Sequence, residues 1–405
     1  MKTTTAFTKK SIMNRHALSY FAAATMLFNT ACTVTPGNGQ TQQNIPSAFG
    51  INNVAPTATG KKQIKIALLL DTSNSMDGLI DQAKSTLWKF VNALSTTSYQ
   101  NEKPELQIAL YEYGNSGIAA RDGFIKQVSL FTGDLDLISQ LLFSLTTNGG
   151  DEFCGQVIHT SLNQLEWQGN TEDLRLIFIA GNEPFTQGKL NFKSACEIAK
   201  AKDVLVNTIF CGPFDEGIAG QWKSGADLTG GNYMSIEQDR KTVYIESPFD
   251  IEIEKLNVSL NATYIYYGKD GSHKKENQSA QDVNSELYGK ANKTERVLSK
   301  TSSFYSNSSW DLVDAYNQKD FDISKMKETD WPIELKGKTI VERQVFILQK
   351  NNEREVIKKQ INEYSIKRKE FIATMPSENS ATNSLDEAML KAITDQAKYK
   401  GFTIQ

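Results

Sequence analysis

The chain has 405 residues and a formal net charge of −3, from 44 basic and 47 acidic side chains. This length allows one large domain with an appendage or two smaller domains, each with a sizeable core. The near balance of charges leaves no excess of basic residues for a phosphate backbone, so the composition argues against nucleic acid as a partner.

The N-terminal residues have the pattern of an export signal. Lys9, Lys10 and Arg15 precede an apolar run at 17–28, which is shorter than the about 20 residues of a membrane-spanning helix. We therefore predict a cleaved signal peptide at 1–31 and an exported protein that resides in the cell envelope.

Cys32 follows this run at the position where bacterial lipoprotein signals place the cysteine that receives lipid. Asn29 departs from those signals, which usually have leucine, valine or isoleucine there, and an unmodified thiol is the alternative. We expect an outer-membrane lipoprotein anchored through Cys32, facing either the periplasm or the cell surface. The polar composition of 33–61 predicts a flexible tether over residues 32–61.

Apolar strands and amphipathic helices alternate along residues 62–238. Strands are predicted at 64–70, 106–113, 126–131, 174–180, 204–210 and 233–236. Helices are predicted at 79–94, 135–145, 157–165, 193–202 and near residue 221. Continuous apolar strands separated by helices indicate a parallel sheet covered on both faces. The predicted fold class is therefore α/β, with a doubly wound, mostly parallel sheet and a helical C-terminal extension.

A turn with three oxygen-bearing side chains follows the first predicted strand. Asp71, Ser73 and Ser75 alternate within DTSNS and can point at one centre. Ligands of open α/β sheets bind beyond the carboxyl ends of the strands, and oxygen ligands suit Mg²⁺ first, then Mn²⁺ or Ca²⁺. One interpretation is a divalent cation site. The other is that Asp71 caps the first helix and bonds to the two serines without a metal.

The stretch Asp71-x-Ser73-x-Ser75 resembles the metal-ion-dependent adhesion site of the von Willebrand factor A family. ADLTGGNY at 226–233 is similar to the closing pattern of that family, as is the order of elements over 62–238. The resemblance implies a domain of this fold whose metal site captures a protein or polymer ligand. Since two of the three ligands are neutral, an ion held by them keeps positive charge for an acidic group of a partner.

Two loops depart from the family pattern. The second loop, GGDEFCG, has Asp151 or Glu152 in place of a threonine, and the third, IAGNEPF, has Gly181 in place of an aspartate. We expect Asp151 and Glu152 among the metal ligands, and Asn182 and Glu183 against the bound ligand. An added carboxylate neutralises the ion, so the site is either a structural metal site or one that recognises a neutral ligand.

Several stretches resemble a group of uncharacterised exported bacterial proteins with this domain, usually predicted to be lipoproteins. They are LDTSNSMDGLIDQAK, ALYEYGN, FIAGNEPFTQG and SSWDLVDA. This resemblance covers most of the mature chain and implies export, but it implies no activity.

The sequence shows no pattern that supports catalysis. A serine or cysteine hydrolase needs a base beside its nucleophile. The histidines that follow the signal peptide are His159, in a predicted amphipathic helix, and His273, in a predicted polar loop. The stretch 181–189 lacks the glycine spacing and the hydroxyl residue of a phosphate-binding loop. We therefore expect a protein that is not an enzyme.

Cys154 and Cys211 are predicted at the same edge of the sheet, and Cys196 within a helix. Exported proteins form disulfides, so a Cys154–Cys211 bridge is one interpretation. Buried free thiols are the other.

The C-terminal region, 239–405, is predicted to be mostly helical. Helical periodicity begins near Ile253, and the polar segment 271–284 interrupts it. Capping boxes predict helix starts at Thr339 and Ser384, and Pro376 terminates the first of these helices. The region lacks an obvious core of its own, so we expect it to pack against the sheet domain. A dedicated partner-binding arm is the alternative.

These patterns together predict a cell-envelope lipoprotein that binds a protein or polymer through a degenerate metal-ion-dependent adhesion site. The alternative is a metal-free scaffold in an envelope assembly, with contacts made mainly by the helical extension. Either protein meets the membrane through its lipid anchor.

Overall fold

The computed structural model describes residues 60–237, 239, 245–375 and 384–404. The predicted signal peptide, Cys32, nearly all of the tether and Pro376 lie outside these residues. The strands are β1 (Gln63–Asp71), β2 (Ser98–Tyr99), β3 (Glu105–Tyr113), β4 (Ile125–Thr132), β5 (Leu174–Gly181), β6 (Leu205–Cys211), β7 (Tyr233–Ile236) and β8 (Phe402–Thr403). The α-helices are α1 (Asp77–Leu94), α2 (Leu135–Ser144), α3 (Cys154–Gln164), α4 (Phe192–Ala201), α5 (Phe214–Ala219), α6 (Trp222–Asp227), α7 (Asp250–Asn261), α8 (Gly271–Glu286), α9 (Lys290–Ser299), α10 (Leu312–Tyr316), α11 (Ile340–Ala373) and α12 (Leu385–Tyr399).

The central sheet has the strand order β4-β3-β1-β5-β6-β7. β1 pairs in parallel with β3 and β5, and parallel pairing continues through β6 to β7, whereas β4 runs antiparallel to β3. The strands that follow β1 in sequence, β3 and β4, lie on one side of it, and the later strands β5, β6 and β7 lie on the other. The strand order therefore reverses at β1. The predicted α/β class and mostly parallel sheet are confirmed, and Asp71 ends the strand at the switch point where such sheets bind ligands.

Alternation along the strands sends successive side chains to opposite faces of the sheet. Ile66 and Leu68 belong to one hydrophobic cluster, and Ala67 and Leu69 belong to another. Helices α3, α4 and α6 cover the face of Ala67, and α1 and α2 cover the other. Both faces of the sheet are therefore buried, as the continuous apolar strands predict.

The helical C-terminal region packs against the α1 face of the sheet. The hydrophobic cluster that contains Ile66 and Leu68 of β1 also contains four fully buried residues of this region: Ile253, Val297, Ile361 and Ile393. A smaller separate cluster, around Trp331, lies between α10 and α11. The expected packing on the sheet domain is present, but the expectation that the region has no core of its own is wrong.

The polar segment 271–284 is not an interruption but most of α8. Its buried face is polar, with Gln278, Gln281 and Asp282 almost fully enclosed. Ser384 begins α12 without capping it, because its hydroxyl donates to Asp386 instead. The capping box at Thr339, by contrast, is confirmed.

A buried ionic cluster joins α8 and α9 to the sheet domain. Arg296 lies 2.5 Å from the Asp136 carboxylate on α2 and 3.0 Å from that of Asp282 on α8, and it stacks on Trp88 of α1. Lys300 lies 2.6 Å from Asp282. The cluster therefore ties α2 of the sheet domain to α8 and α9 of the helical region.

Candidate functional site

Asp71 lies at the carboxyl end of β1, fully buried between the ends of the two neighbouring strands. Its Oδ1 accepts a hydrogen bond from the Ser73 backbone N–H at 2.8 Å. Glycines flank it on both sides: a Cβ at Gly114 would lie 2.7 Å from Oδ1, and one at Gly181 would lie 3.0 Å from Oδ2. The carboxylate therefore occupies space that only glycine leaves open.

The structure gathers the three side chains of the first loop. The Ser73 and Ser75 hydroxyl oxygens lie 3.2 Å apart, and the Asn182 amide donates to Ser75 Oγ at 3.1 Å. Ser73 is buried, whereas Ser75 is exposed. Asp71 does not cap α1, because the residue at the N-cap of that helix is Met76. The loop is therefore gathered around Asp71 and open to solvent at Ser75.

The second loop brings Glu152, and not Asp151, to the floor of the site. Glu152 is only 6% exposed, and its carboxyl group is within hydrogen-bonding reach of the Asp71 carboxyl. Its backbone N–H donates to Gln187 Oε1 at 2.9 Å. Asp151 is exposed at the rim. Of the two carboxylates offered by sequence in place of the threonine, Glu152 is the one that reaches Asp71.

The two floor carboxyls perturb each other. Burial raises the pKa of Asp71 above its ordinary value, and burial together with the charge of Asp71 raises the pKa of Glu152. Glu183, exposed on the third loop, pushes both pKa values in the same direction. Two carboxylates in contact must share a proton or a cation, because their like charges cannot both go unpaired in a buried place.

Three oxygen atoms at this edge have no hydrogen-bond partner. They are Asp71 Oδ2, Glu152 Oε2 and Asn182 Oδ1. Buried acceptors left unpaired cost about 1–3 kcal/mol each. An oxygen-coordinated divalent cation is a group that would satisfy them, with the serine hydroxyls as further ligands. Among the described residues, no group of three or more His, Cys, Asp or Glu side chains is placed to hold a metal, so any cation here depends on hydroxyl and amide oxygens as well.

The third loop is fixed from beneath by aromatic side chains. Trp222 Nε1 donates to the Glu183 carbonyl at 2.8 Å, and the buried Phe185 ring packs against Trp222 with centroids 4.8 Å apart. Tyr113 Oη donates to the Ala180 carbonyl at 2.9 Å. Sequence reasoning missed these supports, because their roles depend on which strands are neighbours and no local motif records that.

Glycine at position 181 has a physical reason. A Cβ there would lie 2.5 Å from Tyr113 Oη as well as close to Asp71. The aspartate that the family pattern calls for cannot be accommodated without moving Tyr113. A carboxylate at position 181 is therefore excluded by packing, while the second loop supplies one at Glu152.

Cys154, Cys196 and Cys211, which are the cysteines among the described residues, are free and buried. Cys154 begins α3 with its thiol 3.8 Å from Tyr113 Oη, and it belongs to the cluster on the α3 face of the sheet. Cys211 belongs to the cluster on the opposite face. The proposed Cys154–Cys211 bridge is wrong, because the sheet separates the two side chains, and the free-thiol interpretation describes the structure.

Neither of the histidines in the described part of the chain, His159 and His273, lies at the site. His159 lies on α3 and contacts Asn163. His273 lies in the first turn of α8 and not in a loop, which corrects the sequence interpretation. Within the described residues, no helix combines the length and the apolar character that crossing a membrane requires.

Comparison with known proteins finds similar structures among those that have been solved. No protein-family model matches the chain, and no curated protein matches it. Among solved structures, it is similar to the conserved hypothetical protein BatB from Bacteroides thetaiotaomicron, at 15% identity and a TM-score of 0.33, over 43% of this chain and 90% of that one. It is similar to a von Willebrand factor type A protein from Catenulispora acidiphila, at 11% identity and a TM-score of 0.32, over 44% of this chain and 39% of that one.

A third similar structure is proximal thread matrix protein 1 from the mussel byssus with a zinc-occupied MIDAS motif. Its identity is 10% and its TM-score 0.30, over 45% of this chain and 44% of that one. The chain thus spans less than half the length of the second and third of these proteins. The sequence resemblance to the von Willebrand factor A family agrees with the names of these similar structures, and at these identities the likeness concerns the fold alone.

Proposed function

We propose that the protein is an exported, lipid-anchored envelope protein whose edge site holds a divalent cation and captures a protein or polymer ligand there. The observation that carries the proposal is the set of three unpartnered oxygens of Asp71, Glu152 and Asn182. They stand beside two serine hydroxyls at a solvent-facing switch point of the sheet. A divalent cation coordinated by these oxygens would satisfy all three.

Four side chains would hold the cation: Asp71, Ser73, Ser75 and Glu152. All four ligate through oxygen, which favours Mg²⁺, with Mn²⁺ or Ca²⁺ as alternatives. When bound, the ion supplies the charge that lets both floor carboxyls remain ionised side by side. Asn182 orients Ser75 through its amide. The proposal contains no catalytic step, and we infer a binding protein.

The location rests on the sequence of the N-terminus. The basic and apolar pattern of 1–31 and the position of Cys32 support export followed by lipidation. Membrane fractionation tests this, with Cys32→Ser as the matched variant. The natural protein is expected in the membrane fraction and the variant in the soluble fraction. A natural protein found in the soluble fraction would end the lipid-anchor proposal.

Thermal unfolding tests the cation site. A ligand that binds only the folded state raises the unfolding midpoint as its concentration rises. We expect Mg²⁺ to raise the midpoint of the natural protein, EDTA to reverse the rise, and Asp71→Asn to abolish it. Glu355→Gln on α11 is the matched control and should keep the full response. The absence of a shift with Mg²⁺, Mn²⁺ and Ca²⁺ alike would sink the proposal.

A second candidate function is a metal-free scaffold whose helical extension makes the contacts. One observation favours it: an exposed apolar stripe on α11, formed by Val341, Val345, Leu348 and Val356, whose side chains are 45–67% exposed. Three residues of the stripe, Val345, Leu348 and Val356, line a groove together with Ser259 of α7, and its volume is about 840 Å³. Exposed apolar surface of this kind is typical of interaction sites.

Crosslinking in the native envelope separates the two candidates. Partners that disappear with chelator and with Asp71→Asn support the cation site. Partners that persist with chelator but disappear with Leu348→Glu support the scaffold. Leu287→Glu, at an exposed leucine beyond the stripe, is the control for adding charge to an apolar surface position.

A further inference from the structure

We infer that the ligand captured at this edge presents a basic group, an ammonium or a guanidinium, and not an acidic one. The inference rests on the proposed function and adds the charge class of the ligand. It follows from where this chain places its carboxylates.

The floor of the site holds two carboxylates instead of one. Asp71 and Glu152 both have a buried oxygen without a partner, and both lie against Gly114, where a Cβ would meet Asp71 Oδ1 and Glu152 Cγ at 2.7 Å each. A divalent ion held by both carries no net charge to offer. The site therefore cannot attract an acidic side chain in the way that a site with mostly neutral ligands does.

The rim adds two more carboxylates. Asp151 and Glu183 are exposed, on the two loops that flank the floor. Among the described residues, neither side chain has a hydrogen-bond or ion-pair partner. The Trp222 indole donates to the Glu183 carbonyl, which fixes the point of the backbone from which this exposed carboxylate projects. These two unpaired carboxylates are free to bind a cationic group.

The sum of charges at the edge is negative. Four carboxylates and one divalent ion leave two negative charges. Exposed Lys189, at the end of the third loop, offsets only one of them. Arg121, on the loop after β3, lies 3.7 Å from Asp122 and is offset by it. Opposite charges at such a cleft steer and retain a cationic ligand, and they repel an anionic one.

Two fluorescent peptides of equal length test the charge class. Both consist of glycine and serine, and one carries four lysines where the other carries four glutamates. Binding is measured by fluorescence anisotropy with Mg²⁺ present, using the complete mature chain. We expect the lysine peptide to bind the natural protein at least tenfold more tightly than the glutamate peptide.

Charge reversal at the rim supplies the matched variant. Asp151→Lys/Glu183→Lys should weaken the lysine peptide at least tenfold and strengthen the glutamate peptide. Glu363→Lys/Glu370→Lys changes the net charge by the same amount on exposed positions of α11, and it should leave both affinities within about twofold of those of the natural protein.

Several outcomes overturn the inference. They are a natural protein that prefers the glutamate peptide, one that binds neither peptide, and a remote charge reversal that weakens the lysine peptide as much as the rim reversal does. Mg²⁺-dependent unfolding of the same samples keeps the proposed function separate. A Mg²⁺ shift without a peptide preference refutes the basic ligand and leaves the cation site standing. A lysine preference without a Mg²⁺ shift supports the basic ligand and refutes the cation site.

Discussion

Replacing Arg296 with methionine tests how the helical extension holds the sheet domain. Arg296 is fully buried, lies 2.5 Å from Asp136 and 3.0 Å from Asp282, and stacks 4.3 Å from the Trp88 ring. Methionine keeps much of the apolar contact but removes the charge. Asp136 is then left buried without a cation, while Asp282 keeps Lys300 at 2.6 Å.

The expected cost follows from that uncompensated carboxylate. Removing one partner of a buried ion pair destabilises a protein by about 3–5 kcal/mol, because the remaining charge stays buried. The double variant Arg296→Met/Asp136→Asn should recover part of this loss, since both charges are then removed together. Urea unfolding followed by tryptophan fluorescence measures both, and Trp88 reports directly on the cluster.

The loss should depend on pH with a defined sign. Burial already raises the pKa of Asp136 above its ordinary value of 3.8, and removing Arg296 raises it further. A carboxyl whose pKa is raised by folding favours the folded state at low pH and destabilises it as the pH rises through the raised pKa. The variant should therefore be closest to the natural protein near pH 4 and furthest from it above neutrality. A loss below about 1 kcal/mol, or one that is the same at every pH, would refute this account of the cluster.

Three further predictions concern the edge site. Glu152→Gln should abolish the Mg²⁺ response. Without metal at neutral pH, it should stabilise the protein by on the order of 1–3 kcal/mol, because both floor carboxyls have raised pKa values and their repulsion grows as the pH rises. Unfolding with and without Mg²⁺ measures both effects. Gly181→Ala should destabilise the protein by about 1–3 kcal/mol, and by less when Tyr113 is already replaced by phenylalanine. Urea unfolding measures both losses, and equal losses with and without Tyr113→Phe would contradict the steric argument. Cys154 and Cys211 should react with a thiol reagent only after unfolding, since burial raises both thiol pKa values, and labelling of the folded chain would contradict it.

The strands of the sheet could be predicted from the sequence because each is a local, continuous run of apolar residues. Six predicted strands agree with β1 and β3–β7 to within one or two residues at each end, since their continuous apolar runs have few alternative interpretations. The same reasoning failed at α8, whose buried face consists of Gln278, Gln281, Asp282 and their neighbours. A helix that buries polar groups against Arg296 and Lys300 has no hydrophobic period to detect. Its partners are distant in sequence.

The edge site shows the same division between local and non-local signals. The grouping of Asp71, Ser73 and Ser75 is encoded in five consecutive residues and was predictable. The choice of Glu152 over Asp151 depends on how the second loop meets Gly114, and two adjacent acidic residues give no sequence signal for which one turns inward. The disulfide interpretation failed for a related reason: a shared sheet edge was predictable, but the opposite faces of Cys154 and Cys211 were not.

The departures from the family pattern are connected through Tyr113. Its hydroxyl, bonded to the Ala180 carbonyl, fills the space that a side chain at position 181 would need. A carboxylate at position 181 is therefore excluded, and the second loop instead brings the carboxyl group of Glu152 within direct reach of Asp71. In the proposed site, a carboxylate at Glu152 instead of at position 181 would still allow a cation to be held, but it would neutralise the positive charge that the cation would otherwise present. The proposed preference for a basic ligand thus follows from how Tyr113, at the end of β3, packs against Gly181.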